Sequence, residues 1–216
     1  MSKLFPPVKH LDTRYAPKGD ITQLFGENPA LYAQFNLAGH NGIDIVRPHG
    51  EPLYAMEDGV VISTKENPLG YGKNVRIMSD YKNEKGHHRE WVYGHNSENL
   101  VKVGDRVKGG QLIAYMGNTG FTVSGSTPYW KTNPFAGTHV HLGLRLIREV
   151  ENGWSYEGSP YKLDVINYNN GYKGAIDSKS ILDSLVIPTS EENRSLFRSL
   201  LTIQSVINNI KLRFKK

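Results

Sequence analysis

Short apolar runs separated by glycine-containing turns constrain the fold of this chain more than any other feature of its sequence. They lie between about residues 50 and 120, and runs of this length and content are typical of strands. The clearest are GVVIST at 59–64, KNVRIM at 73–78 and WVYGH at 91–95, and 101–115 holds two more around Gly-Asp and Gly-Gly turns. No helical period is convincing before residue 175. The sequence therefore predicts a mainly β fold built on a small antiparallel sheet.

The length of 216 residues fits one domain with additions or two small domains. We predict an irregular N-terminal segment at 1–19, an ordered β domain at 20–183 and a helical tail at 184–216. Within the β domain, residues 121–137 are rich in Ser, Thr, Pro and Gly, which predicts a long loop. Residues 148–175 are polar and predict a hairpin or loops. His87 and His88 lie in a charged stretch and are expected to be exposed.

The tail has the pattern of an amphipathic helix at about 189–214. Thr189 and Glu192 match a capping box after Pro188. Apolar residues then recur at four-three spacing, and lysine and arginine at the end complement the helix dipole. We expect the apolar face to pack on the β domain or on a second copy of the chain, which makes self-association possible. Binding to a membrane surface or to a specific partner is the alternative.

Charge and composition limit the classes of partner that the chain is predicted to bind. The net charge of +5 and the isoelectric point near 9.2 favour anionic surroundings such as an acidic cell wall or nucleic acid. The basic residues are scattered outside the tail and match no nucleic-acid-binding motif, so no nucleic-acid partner is predicted. No apolar run is long enough for a transmembrane helix. Residues 1–8 lack the apolar region of a signal peptide, which predicts a cytosolic protein or one that leaves the cell by lysis or virion assembly.

A histidine and a carboxylate, His40 and Asp44, flank the turn dipeptide Asn41-Gly42. In an extended strand their Cα atoms would be roughly 13 Å apart, which is too far for two ligands of one metal ion. The chain must therefore turn at Asn41-Gly42 if both residues bind the same ion. Because the chain has no cysteine, a zinc site would have to use histidine and carboxylate ligands.

Three further histidines are candidates for the same site. His139 and His141 alternate with apolar residues, which predicts a strand with both imidazoles on one face. His95 ends the strand-like run that contains Tyr93. Two histidines and one carboxylate form a common set of catalytic zinc ligands. Spacing alone, however, does not decide which three of the five residues bind the ion.

The sequence resembles the lysostaphin/LytM-like family of zinc metalloendopeptidases, which cut peptidoglycan peptides. The H-x-x-x-D motif of that family matches His40 and Asp44 in GHNGIDI, H-x-H matches His139 and His141, and Y-x-H matches Tyr93 and His95. Further matches lie at 47–61, 71–77 and 101–120, and the motif core covers 38–146. In that family H-x-H usually follows a T-G-x-x-x-G turn closely, and one departure of this chain is that residues 125–137 intervene.

The resemblance implies a fold, a cofactor and roles. It implies a small antiparallel β-sheet with a groove, and one Zn²⁺ per chain held by His40, Asp44 and His141. His95 and His139 would then be catalytic, one as general base on the water, and either could polarise the carbonyl or stabilise the oxyanion. We also expect Tyr93 and Asn41 to bind substrate.

The function that follows is hydrolysis of peptide bonds of bacterial peptidoglycan, in the cross-bridge or the stem peptide, by a metal-activated water. With no signal peptide recognised, we expect a phage-borne or virion-associated wall hydrolase. The alternatives are a catalytically silent LytM-like binding or regulatory module and a structural virion component.

Overall fold

The structure is a computed structural model that describes residues 3–124 and 127–186. The chain divides into a compact unit at 1–185 and a second unit at 186–216. The predicted amphipathic helix at 189–214, with any self-association through it, lies outside the described residues. No helix within the described ranges has both the length and the apolar character needed to cross a bilayer.

The described part of the first unit is mostly antiparallel β structure, as predicted. Its strands are β1 (Ile21–Gln23), β2 (Ile43–Ile45), β3 (Pro52–Tyr54), β4 (Gly59–Ser63), β5 (Glu66–Asn67), β6 (Gly72–Lys82), β7 (His88–Asn99), β8 (Arg106–Val107), β9 (Leu112–Met116), β10 (Val123–Ser124), β11 (Thr127–Pro128), β12 (Val140–Trp154) and β13 (Leu163–Val165). Its helices are α1 (Pro29–Tyr32), a 3-10 turn (Ala33–Phe35), α2 (Tyr129–Thr132) and α3 (Lys179–Asp183).

The main sheet is built on three long strands, β6, β7 and β12. Its order is β1-β2-β12-β7-β6-β4-β8, with β9 also paired to β7 and to β3, and β13 paired to β12. All these pairs are antiparallel. His141 of β12 lies between Gly94 of β7 and Asp44 of β2 in the strand register. The topology therefore joins three segments that are distant in sequence within three neighbouring strands.

Side chains alternate along β7 and β12, so that one face of the sheet packs in the core and the other carries the candidate site residues. Trp91, Tyr93, Leu142 and Leu144 are at most 1% exposed and belong to the main hydrophobic core. Residues between and beside them, such as His141, Gly143 and Arg145, line a groove on the opposite face. The apolar alternation of the sequence thus fixes which side chains face the groove.

Residues 3–19 form no regular element beyond one bridge between Tyr15 and Ile21. They nevertheless pack onto the β domain, because Val8 and Leu11 are buried in the main core. The backbone N–H of Phe5 also donates to the carbonyl of Met56. This segment is irregular in backbone but integral to the compact unit at 1–185.

The structure corrects two local predictions. Residues 121–137 are not a plain loop, because they contain the β10–β11 hairpin and the short helix α2. Two-residue strands and a four-residue helix are too short to produce a readable period. His88 is also buried, not exposed: it opens β7, and its Nδ1–H donates to the carbonyl of Ser79 at 2.7 Å. The prediction of a hairpin within 148–175 is confirmed by β12 and β13.

Candidate metal centre

Three buried side chains converge on one point: His40, Asp44 and His141. His40 Nε2 lies 2.9 Å from His141 Nδ1 and 3.1 Å from Asp44 Oδ1. His141 Nδ1 lies 3.3 Å from the same carboxylate oxygen. The three atoms form a nearly equilateral triangle, which is one face of a small coordination sphere.

Local structure explains how these residues meet. Asp44 and His141 are direct cross-strand partners in β2 and β12. His40 reaches the same point because the chain bends at Asn41-Gly42 before β2 begins. Only glycine fits at position 42, since a Cβ there would lie 2.5 Å from Cε1 of His141. The turn inferred from Asn-Gly is therefore present where the sequence predicts it.

The hydrogen bonds fit a metal better than they fit an all-protein network. His40 Nδ1 lies 3.2 Å from the carbonyl of Leu24 and must donate its hydrogen, which leaves Nε2 with a free lone pair facing the triangle. Asp44 Oδ1, which faces the same triangle, is buried without a hydrogen-bond partner. Ligand atoms about 2.0–2.1 Å from a tetrahedral zinc ion lie about 3.3 Å from one another. The triangle has nearly these dimensions, so the donor set fits Zn²⁺.

The protonation states also suit metal binding, which needs ionised carboxylate and neutral imidazole. Burial raises the pKa of Asp44, but the neighbouring His139 and His40 outweigh it and hold the pKa well below its usual value. Burial lowers the pKa of His141 to about 4. At neutral pH the site therefore presents one carboxylate and an uncharged His141 ring.

His95 and His139 stand beside the three ligands. Their ring centroids are 4.7 Å apart, and His139 Nε2 lies 3.6 Å from Asp44 Oδ2. His95 Nδ1 donates to the carbonyl of Thr119 at 2.7 Å, and His139 Nδ1 donates to that of Gly137 at 2.8 Å. Both rings therefore keep Nε2 as an acceptor when neutral.

The environments of His95 and His139 differ. Burial, together with the nearby His139 and His141, holds the pKa of His95 well below its usual value. His95 also has a left-handed backbone, with φ of 66°, which is uncommon for a non-glycine residue and frequent at functional sites. The side chain of His139 is 18% exposed, so it opens to the groove more than the ligands do.

A groove of about 730 Å³ runs over these residues. Its lining includes residues of α1 and the 3-10 turn and of the segments 69–71 and 121–122. The rings of Phe35 and Phe121, both in the lining, pack edge to face with centroids 4.9 Å apart. The floor is the groove face of β7 and β12, with Val92 and Gly143 beyond His141. Such a cleft can hold an extended peptide across the three candidate ligands and the two neighbouring histidines, His95 and His139.

Of the two residues predicted to bind substrate, the structure places one in the groove. Asn41 lines it and donates from Nδ2 to the hydroxyl of Tyr71 at 2.7 Å. Tyr93 does not, because it is fully buried and its hydroxyl accepts from the backbone N–H of Met56. We correct its predicted role and assign Tyr93 to the core.

Sequence reasoning assigned no role to Tyr71, which lines the groove with its ring 4.8 Å from that of His141. The only sequence signal for it is its place at the start of the matched stretch YGKNVRI. That match indicates a shared strand and does not identify a side chain of the site.

The chain is similar to known proteins in sequence and in fold. A family model described as peptidase family M23 matches residues 38–154. Among curated proteins, the chain is 30% identical over 139 residues to the glycyl-glycine endopeptidase ALE-1 of Staphylococcus capitis, covering 64% of this chain and 35% of the relative. It is 34% identical over 122 residues to lysostaphin of Staphylococcus simulans, covering 56% and 21%.

A third relative is the peptidoglycan DD-endopeptidase ShyA of Vibrio cholerae, 39% identical over 84 residues, covering 39% of this chain and 18% of the relative. The chain thus spans about a third or less of the length of these relatives. A solved structure of lysostaphin from Staphylococcus simulans aligns with 80% of this chain and 55% of its own, at a TM-score of 0.50 and 22% identity. This similarity shows a common fold.

Proposed function

Because the chain belongs to peptidase family M23, we propose that it is a zinc-dependent endopeptidase that hydrolyses peptide bonds of bacterial peptidoglycan. The single observation that carries the proposal is the convergence of His40, Asp44 and His141 beside His95 and His139, over one groove. The relatives are named as a glycyl-glycine endopeptidase and a DD-endopeptidase, so a cross-bridge and a stem-peptide bond are both candidates for cleavage.

His40, Asp44 and His141 would hold the zinc ion, with one ion per chain. When bound, zinc lowers the pKa of a water molecule and polarises the scissile carbonyl. The Nδ1–H of His40 stays bonded to the carbonyl of Leu24, which fixes the orientation of this ligand. Asp44 supplies negative charge that offsets part of the charge of the ion.

His139 and His95 would handle the proton of the attacking water. Both can accept through Nε2. We assign the general base to His139, because the Asp44 carboxylate 3.6 Å from its Nε2 stabilises the imidazolium that forms. His95 disfavours a positive charge and instead accepts a hydrogen bond that orients the water. As the C–N bond breaks, His139 returns the proton to the leaving amine. Asn41 would contact the substrate backbone from the groove wall.

Two substitutions separate binding of the ion from the chemistry. We expect the purified chain to contain one zinc ion and to cleave peptidoglycan. His141→Ala should lose both, because two ligands do not hold the ion. His139→Ala should keep the zinc and lose about 10²- to 10⁴-fold in cleavage rate. Zinc by elemental analysis and cleavage of defined muropeptides, read by mass spectrometry, measure the two effects.

His49→Ala is the matched control, since His49 is exposed and does not belong to the triangle. It should retain full zinc and full activity. Complete cleavage by His141→Ala would refute the assigned site. A chain that purifies without zinc and does not take it up would instead be the silent LytM-like module. The filled five-residue set argues against that module. Phage-borne delivery and a role in the virion stay predictions.

A further inference from the structure

A buried cluster of charges lies along the groove from the zinc ligands, and two of its members line the groove. Its centre is Glu90, which has no exposed surface and lies between two arginines. Arg76 Nη1 donates to Glu90 Oε1 at 3.2 Å, and Arg145 Nε donates to Glu90 Oε2 at 2.6 Å. The hydroxyl of Tyr156 donates to Glu90 Oε1 at 2.5 Å and also accepts from both arginines. We call Arg76, Glu90, Arg145 and Tyr156 the arginine cluster.

The arginine cluster has one positive charge more than it has negative charges. Burial raises the pKa of Glu90, but Arg145 and Arg76 outweigh it and hold the pKa below the usual value, so the carboxylate is ionised. One carboxylate balances one guanidinium, and the second remains uncompensated. Both arginines line the groove, where Lys173 adds a third cation. Among the described residues of the lining, Asp44 is the sole carboxylate, and it belongs to the proposed zinc site.

Arg76 also has free hydrogen-bond donors in the geometry that carboxylates prefer. Its bonds to Glu90 and Tyr156 use Nη1, and no described residue accepts from its Nε or Nη2. These two nitrogens form the side-on edge of the guanidinium, which binds a carboxylate with two parallel hydrogen bonds. Arg145 uses its own side-on edge for Glu90 and Tyr156. Arg76 is therefore the arginine of the cluster that can still bind a carboxylate.

The position of the cluster fits a site for an extended peptide. Arg145 is four residues beyond His141 on the same face of β12, which is about 13 Å along the strand. Arg76 is nearer, since its Cζ lies 5.3 Å from the centre of the Tyr71 ring, which in turn lies 4.8 Å from His141. The floor between is Gly143 and Val92, which leaves room for a backbone. A group bound at Arg76 would be about two to four residues from the cleaved bond.

From these observations we infer that the arginine cluster is a substrate subsite in which Arg76 binds a free carboxylate of the peptide, two to four residues from the scissile bond. The inference rests on the proposed peptidase function and adds a requirement on the substrate. Peptides with an anionic group at that distance are preferred over neutral ones. Glu90 and Tyr156 act as positioning residues, because they hold the guanidinium planes and leave the side-on edge of Arg76 open.

The test uses the full zinc-loaded chain and paired stem-type peptides. Each pair has a carboxylate or a carboxamide at a position two, three or four residues from the cleaved bond. We expect the carboxylate form to have a kcat/KM about 10- to 100-fold higher at one of these positions. Arg76→Gln should reduce that ratio to near one, because only the carboxylate form loses an ionic partner. Arg76→Lys keeps the positive charge but cannot donate two parallel hydrogen bonds. It should therefore show part of the preference for the carboxylate form.

Arg148→Gln is the matched control, because Arg148 is on the same strand but pairs with Asp164 at the surface. It makes the same change in net charge and should keep the full ratio. Equal kcat/KM for both forms at every position would overturn the inference. So would an Arg76→Gln effect that lowers both forms by one factor, since that is the result of a purely structural role.

If the wild-type chain cleaves none of the peptides, the proposed peptidase function fails. Whether Arg76 forms a carboxylate subsite is then decided by measuring peptide binding. Isothermal titration of both peptide forms into the zinc-loaded chain then provides the measurement. Tighter binding of the carboxylate form that is lost in Arg76→Gln supports the subsite, and equal or absent binding overturns it.

Discussion

Gly42 leaves the space that the imidazole of His141 fills. A Cβ on residue 42 would lie 2.5 Å from Cε1 and 2.6 Å from Nε2 of that ring, and 2.8 Å from the carbonyl of Leu142. Neither the ring nor the backbone strand behind it is a flexible end that moves at low cost. The dipeptide Asn-Gly therefore has two roles, since it makes the bend between His40 and Asp44 and admits the third ligand.

We predict that Gly42→Ala displaces His141 and weakens zinc binding at least tenfold, with a parallel loss of cleavage. Zinc affinity measured by competition with a chelating dye checks this directly. Gly50→Ala is the control, because a Cβ there meets nothing within 4 Å although φ is +86°. That variant should lose about 1–2 kcal/mol of stability from backbone strain and keep its zinc affinity. Unchanged zinc binding in Gly42→Ala would contradict the steric argument.

Zinc should stabilise the fold through the ligand triangle. An ion that binds the folded chain and not the unfolded one adds about 2.7 kcal/mol of stability at a free concentration of 100 times Kd. We therefore expect the Tm of the wild-type chain to rise with added zinc and to fall on chelation. The Tm of His141→Ala should not respond to zinc, and that of His49→Ala should respond fully. A wild-type Tm that ignores both zinc and chelator would exclude a zinc site coupled to folding.

The sequence was informative where a residue's role depends on neighbours close in the chain or on alternation along a strand. The bend at Asn41-Gly42 and the core face of β7 and β12 follow from local patterns. So do the positions of His139, just before β12, and His141 within it. The same alternation, which turns Gly94 toward the groove, places Tyr93 in the core, and the substrate role predicted for Tyr93 did not take it into account. His88 shows a limit of local patterns, because its burial depends on Ser79 of the neighbouring strand.

The arginine cluster could not be predicted from the sequence. Glu90 is 14 residues from Arg76, 55 from Arg145 and 66 from Tyr156, so no local pattern joins them. They meet because β6, β7 and β12 are neighbours and the chain returns after β12 to deliver Tyr156. The sequence shows Arg76 and Arg145 each between two apolar strand residues, which marks two charged side chains without indicating that they meet at Glu90.

Glu90→Gln should be strongly destabilising, because it leaves the buried guanidinium groups without their anion. Removal of one partner from a buried ion pair costs about 3–5 kcal/mol. The matched control is Asp164→Asn, which breaks the surface pair with Arg148 on the same strand and should cost about 0–1 kcal/mol. Urea unfolding of both variants in the presence of chelator measures the difference without a contribution from zinc. Similar small losses in the two variants would show that the cluster does not stabilise the fold.

The stability gap between the wild-type chain and Glu90→Gln should also depend on pH. The pKa of Glu90 in the folded chain lies below its ordinary value of 4.5, as the charges of Arg145 and Arg76 outweigh the effect of burial. Below pH 4.5 the unfolded chain therefore binds more protons at this residue than the folded chain does, and the wild type loses stability as the pH falls. Glutamine does not titrate, so Glu90→Gln lacks this loss.

The difference in the free energy of unfolding between the wild type and Glu90→Gln should consequently be largest at pH 6. It should decrease below pH 4.5 by at most about 1.4 kcal/mol per pH unit. Urea unfolding of both chains in chelator, at half-unit steps from pH 6 to pH 4, provides the measurement. Taking the difference between the two chains cancels the titration of groups that they share, including the zinc ligands. Because Asp164 is exposed, Asp164→Asn run over the same range gives the reference for a surface carboxylate. A gap that stays constant across the range would mean that Glu90 is not ionised against the two arginines.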